Sequence, residues 1–246
     1  MEAEPDETLD AVLGGALRLY QPRRGYRFSL DPLLLADFVG QASGEVLELG
    51  AGCGVLALAV AQRSPDARVT AVELQPRLAE LARRNAALNG LAAQVHIVEA
   101  DLCRLDGVVP ARRFELVVSN PPFQPASGRL SPSSEKALAR HELACTLDDV
   151  VGAAARALRD NGRLALVYPA ERLGEVMAAL PAHGMAARRL RLVHPRADEG
   201  ARLFLFEALR AKAATLEVLP PLALHVGAGR DFTAEAARIL GERDRA

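Results

Sequence analysis

The feature that most restricts the fold is a short apolar run, Val46-Leu47-Glu48-Leu49, which ends in glycines at alternating positions, Gly50, Gly52 and Gly54. The apolar stretch 55–63 follows at once. Glycines so spaced let a backbone leave a strand, turn sharply and enter a helix, with no Cβ to block an approaching ligand. The helix start beyond them offers N–H groups and a positive dipole end to a polar or anionic group. Downstream, apolar runs alternate with helical patterns. Strands are expected over 68–73, 95–98, 114–119 and 163–168, and helices over 76–88, after the capping pattern Thr146-Leu147-Asp148-Asp149, and near 171–180. The 76–88 pattern sets Leu78, Leu81, Ala82, Asn85 and Leu88 on one stripe and stops at Asn89-Gly90. This alternation predicts an α/β fold, a parallel sheet with helices on both faces. Two later runs, near 187–193 and 202–209, predict an antiparallel hairpin on its edge, and a small helix is expected after Phe232.

The chain divides into an N-terminal extension over 1–28, rich in turn residues, and a single domain over 29–246. Within the domain, Ser29 or Asp31 ahead of Pro32 predicts a capped helix start leading into Leu33-Leu34-Leu35. Lys+Arg 30 against Asp+Glu 31 excludes a globally basic nucleic-acid coat, so any acidic partner must meet a local patch. Cys53, Cys103 and Cys145 form no CxxC pair, so neither a metal site nor a disulfide framework is expected. No apolar run approaches the ~20 residues of a bilayer span, and the acidic start lacks a signal-peptide pattern. A reducing cytoplasm is the expected location.

The glycine loop lacks the third glycine of a dinucleotide fingerprint, having Val55 there, which weakens a pyrophosphate reading. Glu73 closes the next strand, where a carboxylate can accept both ribose hydroxyls, and Asp101 closes the third, where it can accept from an adenine amino group with Leu74 and Leu102 against the ring. Taken singly, either carboxylate reads as a cap of the turn that follows. In this order, together, they point to a nucleoside site. The segment Leu47-Glu48-Leu49-Gly50-Ala51-Gly52-Cys53-Gly54, with Glu73 and Asp101, resembles the S-adenosylmethionine site of class I methyltransferases. The resemblance spans roughly 45–168 and implies a Rossmann-like fold, a seven-stranded, mostly parallel sheet with an antiparallel last strand. It implies S-adenosylmethionine as cofactor, held by Glu48, Gly50, Gly52, Gly54, Glu73, Leu74, Asp101, Leu102 and Asn120.

Asn120-Pro121-Pro122-Phe123 ends the fourth strand, on the carboxyl edge where open α/β sheets bind ligands. Two prolines with fixed φ make the tetrapeptide a rigid bracket. The Asn120 side-chain oxygen and the Pro121 carbonyl can both accept from one planar amino group, with Phe123 as a stacking face. Such acceptors oppose the delocalisation that makes a conjugated amine a poor nucleophile, and no strong base is required. Asn120, Pro121, Pro122 and Phe123 are therefore the candidate catalytic residues. The motif resembles the (Asn/Asp/Ser)-Pro-Pro-(Tyr/Phe/Trp) signature of methyltransferases acting on adenine N6, guanine N2 or glutamine N5, and does not choose among them.

Further segments resemble the bacterial tRNA (adenine-N6)-methyltransferases that modify the adenine beside the anticodon of a valine tRNA. These are 21–36, which includes Asp31 and implies a place for it in the donor pocket, then Glu135 to Glu142, and Ala201 to Phe206. Positive charge concentrates nearby, at Arg18, Arg23, Arg24 and Arg27, at Arg129, Lys136, Arg140 and His141, and at Arg188, Arg189, Arg191 and Arg196. Arg27, Phe123, Lys136, Arg140 and His141 are the candidate substrate-binding residues, with RNA, foremost tRNA, as partner. The edge arginines read equally well as a solvated face. Residues 124–145 are the expected substrate-facing insertion. Glutamine N5 of a translation factor, guanine N2 of ribosomal RNA and a small molecule remain as alternative substrates.

Overall fold

The computed structural model describes residues 4–24, 27–121 and 145–242. In chain order these form β1 (Glu7–Val12), β2 (Leu17–Pro22), α1 (Asp31–Val39), β3 (Gly44–Leu49), α2 (Val55–Arg63), β4 (Ala67–Glu73), α3 (Pro76–Leu88), β5 (Val95–Glu99) and β6 (Phe114–Ser119). There follow α4 (Leu147–Ala157), β7 (Leu158–Pro169), α5 (Leu173–Ala179), β8 (Ala186–His194), β9 (Leu203–Leu209), β10 (Glu217–Val218), β11 (Leu222–Ala223) and α6 (Ala234–Leu240). One sheet runs β10-β8-β9-β7-β6-β3-β4-β5, with β11 also paired to β8. Strands β3 to β7 are mutually parallel, and β9 runs antiparallel to both β7 and β8. The mostly parallel sheet with an antiparallel strand is thus present in β3 to β9. Beyond it, β10 and β11 extend the edge at β8, in parallel with it.

The period-2 alternation of the strands distributes two cores. Val46, Val69, Leu116, Val118 and Val167 face one way, against α1, α2, α3 and α6. Leu47, Val72, Val117, Leu164 and Leu166 face the other, against α4 and α5. Both faces are covered, which is what makes near-continuous apolar strands stable in a parallel sheet. The Thr146 box forms as expected: its Oγ1 accepts from Asp149 N at 3.2 Å, and Asp149 Oδ2 accepts from Thr146 N at 2.8 Å. Two details differ from expectation. Leu158 is not on the helical face but opens β7, because Phe114 pairs with it across the sheet. Helix α1 begins at Asp31 with Leu30 as its N-cap and no side-chain cap; Ser29 Oγ lies 3.4 Å from Asp31 N.

The larger surprise is in the N-terminal extension. Residues 7–22 form an antiparallel hairpin, β1 with β2, separate from the main sheet. Leu17 and Leu19 of β2 are fully buried in the same core as α1 and α2. The other edge of β2 is satisfied by two asparagines one turn apart, Asn85 on α3 and Asn89 as its C-cap. Asn85 Oδ1 accepts from Tyr20 N at 2.7 Å and Asn85 Nδ2 donates to Tyr20 O at 3.0 Å. Asn89 does the same to Arg18, at 2.9 and 2.7 Å. Residues 18 and 20 point their N–H and C=O groups to one side of a strand, as i and i+4 carboxamides point to one side of a helix, so the two periods meet. Arg84, on the same helix, binds the Glu7 carboxylate through both nitrogens, at 2.7 and 3.0 Å, and lies over the Tyr20 ring.

Asn85 also donates to the Cys53 carbonyl at 2.9 Å. Its removal leaves three buried backbone groups without this partner. Asn85→Ala should therefore destabilise the protein by about 3 kcal/mol, whereas Asn89→Ala, at a more exposed site, should cost about 1 kcal/mol or less. Urea unfolding of both variants measures the difference; equal losses would contradict the clasp.

Candidate active site

The ladder around β3 sets the site. Leu49 stands opposite Val72 of β4 on one side and Ser119 of β6 on the other. The glycine loop 50–54 and the Asn120-Pro121 segment therefore leave neighbouring strands at the same level. Winding proceeds from β3 through β4 to β5 in one direction and through β6 and β7 in the other, so this is the crevice at which an open α/β sheet receives its ligand. Ser119 is fully buried and its hydroxyl donates to the Leu49 carbonyl at 2.8 Å, tying the last residue before Gly50 to the last before Asn120. Asn120 is half-buried and Pro121 buried.

Backbone bonds fold the loop over the end of β4. Gly50 N and Ala51 N both donate to Val72 O, at 3.0 and 2.9 Å. Glu73 then braces it: one carboxylate oxygen accepts from Gly52 N at 2.7 Å and the other from Gln75 N at 2.8 Å. Gly50, Gly52 and Gly54 have φ of 78°, 57° and 85°, a region costly for any residue with a Cβ. At Gly54 a Cβ would also stand 3.1 Å from the Ala82 Cβ, so glycine lets α2 and α3 meet. At Gly50 a Cβ would meet nothing within 4 Å among the described residues beyond its own chain neighbours. On the next strand, Ala100 N donates to Glu73 O at 3.0 Å, and Asp101 Oδ1 accepts from Cys103 N at 2.9 Å. Leu74 is exposed and Leu102 partly so, at the ends of β4 and β5.

Glu48 is buried beneath the loop, and its Oε2 accepts from Ala57 N at 2.9 Å. The start of α2 was expected to offer its N–H groups outward; the Ala57 N–H is instead held from within. Burial, with the Glu73 carboxylate nearby, pushes the Glu48 carboxyl well above the usual carboxylate range, against that one N–H. Burial likewise pushes the Cys53 thiol to about 12, so it stays protonated and serves as a small packing residue.

The structure thus brings together Glu48, Gly50, Gly52, Gly54, Glu73 and Asn120, with Leu74, Asp101 and Leu102 on the adjoining strand ends. Asp31 opens α1, where burial raises its carboxyl. Arg27 is engaged by the hairpin, donating to Thr8 Oγ1 at 2.8 Å and Asp10 Oδ2 at 3.0 Å. Pro122, Phe123, Lys136, Arg140 and His141 lie outside the described residues. Sequence reasoning missed Ser119 and Tyr20, and placed Asn85 on an apolar stripe without a role. A carboxamide on such a stripe was the available signal, since a buried amide requires partners.

Sheet order, winding and a glycine loop at the switch point define a Rossmann-like class I methyltransferase. The model of the methyltransferase small domain matches residues 31–179, more than half of the chain. The chain belongs to that family and is a methyltransferase. It is 35% identical over 171 residues to a tRNA1(Val) (adenine(37)-N6)-methyltransferase of Porphyromonas gingivalis, covering 67% of each chain. It is 27% identical over 210 residues to the protein of the same name from Vibrio campbellii, covering 85% of this chain and 86% of that one. Among solved structures, protein Atu636 of Agrobacterium tumefaciens, named a predicted O-methyltransferase, superposes with a TM-score of 0.70 at 27% identity, covering 85% and 94% of the two chains. TrmN from Thermus thermophilus gives a TM-score of 0.52 at 26% identity, over 72% of this chain and 46% of that one.

A carboxyl raised by burial favours folding most below its unfolded value of 4.5, and that contribution is lost as pH rises through the folded value. Glu48→Gln removes the titration. Its melting temperature relative to wild type should therefore climb between pH 4 and pH 8; parallel pH profiles from differential scanning fluorimetry would show that Glu48 is not desolvated.

Proposed function

We propose that this chain transfers a methyl group from S-adenosylmethionine to the exocyclic N6 of an adenine in tRNA. The observation that carries the reading is the common level at which Gly50 and Asn120 leave β3 and β6, and it is joined by the names of the similar proteins. The residues present fit the donor. Glu73 is fixed by two backbone N–H bonds, and each oxygen keeps a lone pair for a ribose hydroxyl. Asp101 stands two residues past the end of β5 as an acceptor for the adenine amino group, with Leu74 and Leu102 against the ring and the glycine loop alongside. When bound, the donor supplies a methyl group on a positively charged sulfur.

The chain's part is to present the acceptor nitrogen. Asn120 Oδ1 and the Pro121 carbonyl take hydrogen bonds from the amino group, draw its lone pair out of conjugation and stabilise the charge that develops on nitrogen. Ser119, bonded to Leu49, holds this bracket at a fixed height relative to the donor loop. Phe123 takes the stacking role by its place in the motif. The nitrogen loses its surplus proton to water. Phosphates are met by Lys136, Arg140, His141 and Arg27, whose charge is partly compensated by Asp10. Residues 29–246 form the catalytic domain, braced by the hairpin, whose Leu17 and Leu19 enter its core. No helix among the described residues is long and apolar enough to cross a membrane; a tRNA substrate supports the expectation of a cytoplasmic location.

Labelled donor incubated separately with total tRNA, ribosomal RNA and release factor, followed by digestion, should give N6-methyladenosine from tRNA alone; label in glutamine or guanine would overturn the substrate. Asn120→Ala should retain most of its donor affinity but turn over about 100-fold more slowly. Glu73→Ala should weaken donor binding about 10-fold or more. Calorimetry and single-turnover rates separate the two, and unchanged turnover in Asn120→Ala would refute the bracket.

A further inference from the structure

Cys103 lies in the short turn after β5, Cys145 just ahead of α4, and Asp149 in the first turn of that helix. The two Sγ atoms and a carboxylate oxygen of Asp149 all lie within 4.8 Å of one another, and all three residues are partly exposed. A tetrahedral zinc ion, with sulfur at ~2.3 Å and oxygen at ~2.0 to 2.2 Å, holds its donors roughly 3.5 to 3.8 Å apart, so small side-chain rotations close this set around an ion. Two thiols with one carboxylate suit a thiophilic cation and not magnesium or calcium, which take oxygen donors. The carboxylate is already oriented: Asp149 Oδ2 accepts from Thr146 N at 2.8 Å and from Thr146 Oγ1 at 2.7 Å, the kind of outer support that ligating carboxylates receive.

We propose that Cys103, Cys145 and Asp149 form a binding site for a divalent cation of the zinc class, with the fourth position taken by water. Each thiol releases its proton to solvent as it ligates, and Cys145 gives up its bond to the Thr146 carbonyl. The site joins the turn after β5 to the start of α4. Because Cys103 N is also the donor that holds Asp101, ligation stiffens the residue assigned to the adenine ring. That coupling rests on the proposed donor site; metal binding itself does not.

Cobalt(II) serves as the spectroscopic probe, added to the full chain kept reduced with a phosphine. One equivalent should bind, giving thiolate-to-cobalt charge-transfer absorption in the near ultraviolet and tetrahedral bands in the visible, both displaced by one equivalent of Zn2+. Cys103→Ser and Cys145→Ser should each bind at least about 10-fold more weakly, while Cys53→Ala binds as wild type, with circular dichroism showing all three folded. Absence of the charge-transfer band in wild type, or wild-type affinity in both serine variants, would overturn the site. So would a Cys103–Cys145 disulfide in peptide maps of protein prepared with Zn2+ present. Calorimetry with S-adenosylhomocysteine reads the coupling separately: Zn2+ should tighten binding in wild type and not in Cys103→Ser, and no change with metal bound would overturn the coupling alone.

Discussion

The backbone ladder that sets Leu49 between Val72 and Ser119 determines where each candidate group stands. Side chains alternate with a period of two along a strand, so a slip of one residue would exchange the two cores and shift the crevice edge together. The alternating burial on both faces opposes such a slip. Ser119 adds a local lock, since its hydroxyl finds the Leu49 carbonyl only in this alignment. The carboxylate of Glu73 depends on the same alignment, because it reaches Gly52 only if β3 and β4 end together.

Behind the glycine loop stands a second layer of support. Tyr20 packs with Cys53, Leu78 and Leu81, and Asn85 joins Tyr20 to the Cys53 carbonyl. The hairpin, the third helix and the loop are thus a single packed unit, with a buried acid, Glu48, beneath the loop and holding the start of α2. A loop in left-handed conformations lacks helix or sheet bonding of its own. Its order comes from these neighbours, which differ widely in chain position.

Strongly periodic elements were legible in the sequence. Helices at 55–63 and 76–88 and the strand at 114–119 have the expected bounds because propensity, apolar period and punctuation agree there. The hairpin was not legible, because half of its bonding comes from asparagines on a helix far along the chain, and nothing local announces that partner. The two-residue strands β10 and β11 are too short for a period to register. Of the site, residues within motifs were readable, since glycine, carboxylate and proline each carry a local geometric meaning. Ser119 and Asn85 act through distant backbone atoms, and the proximity of Cys103 to Cys145 exists only once the turn after β5 packs against α4.

The asparagine clasp recognises main chain and ignores side chains. Residue 18, held by Asn89 through its main chain, can thus drift to almost any identity except proline, while position 85, which holds residue 20, needs both an amide donor and an amide acceptor. Divergence should therefore accumulate at exposed hairpin positions such as 18 and spare Leu17, Leu19 and Tyr20, which are buried, together with the carboxamide at position 85.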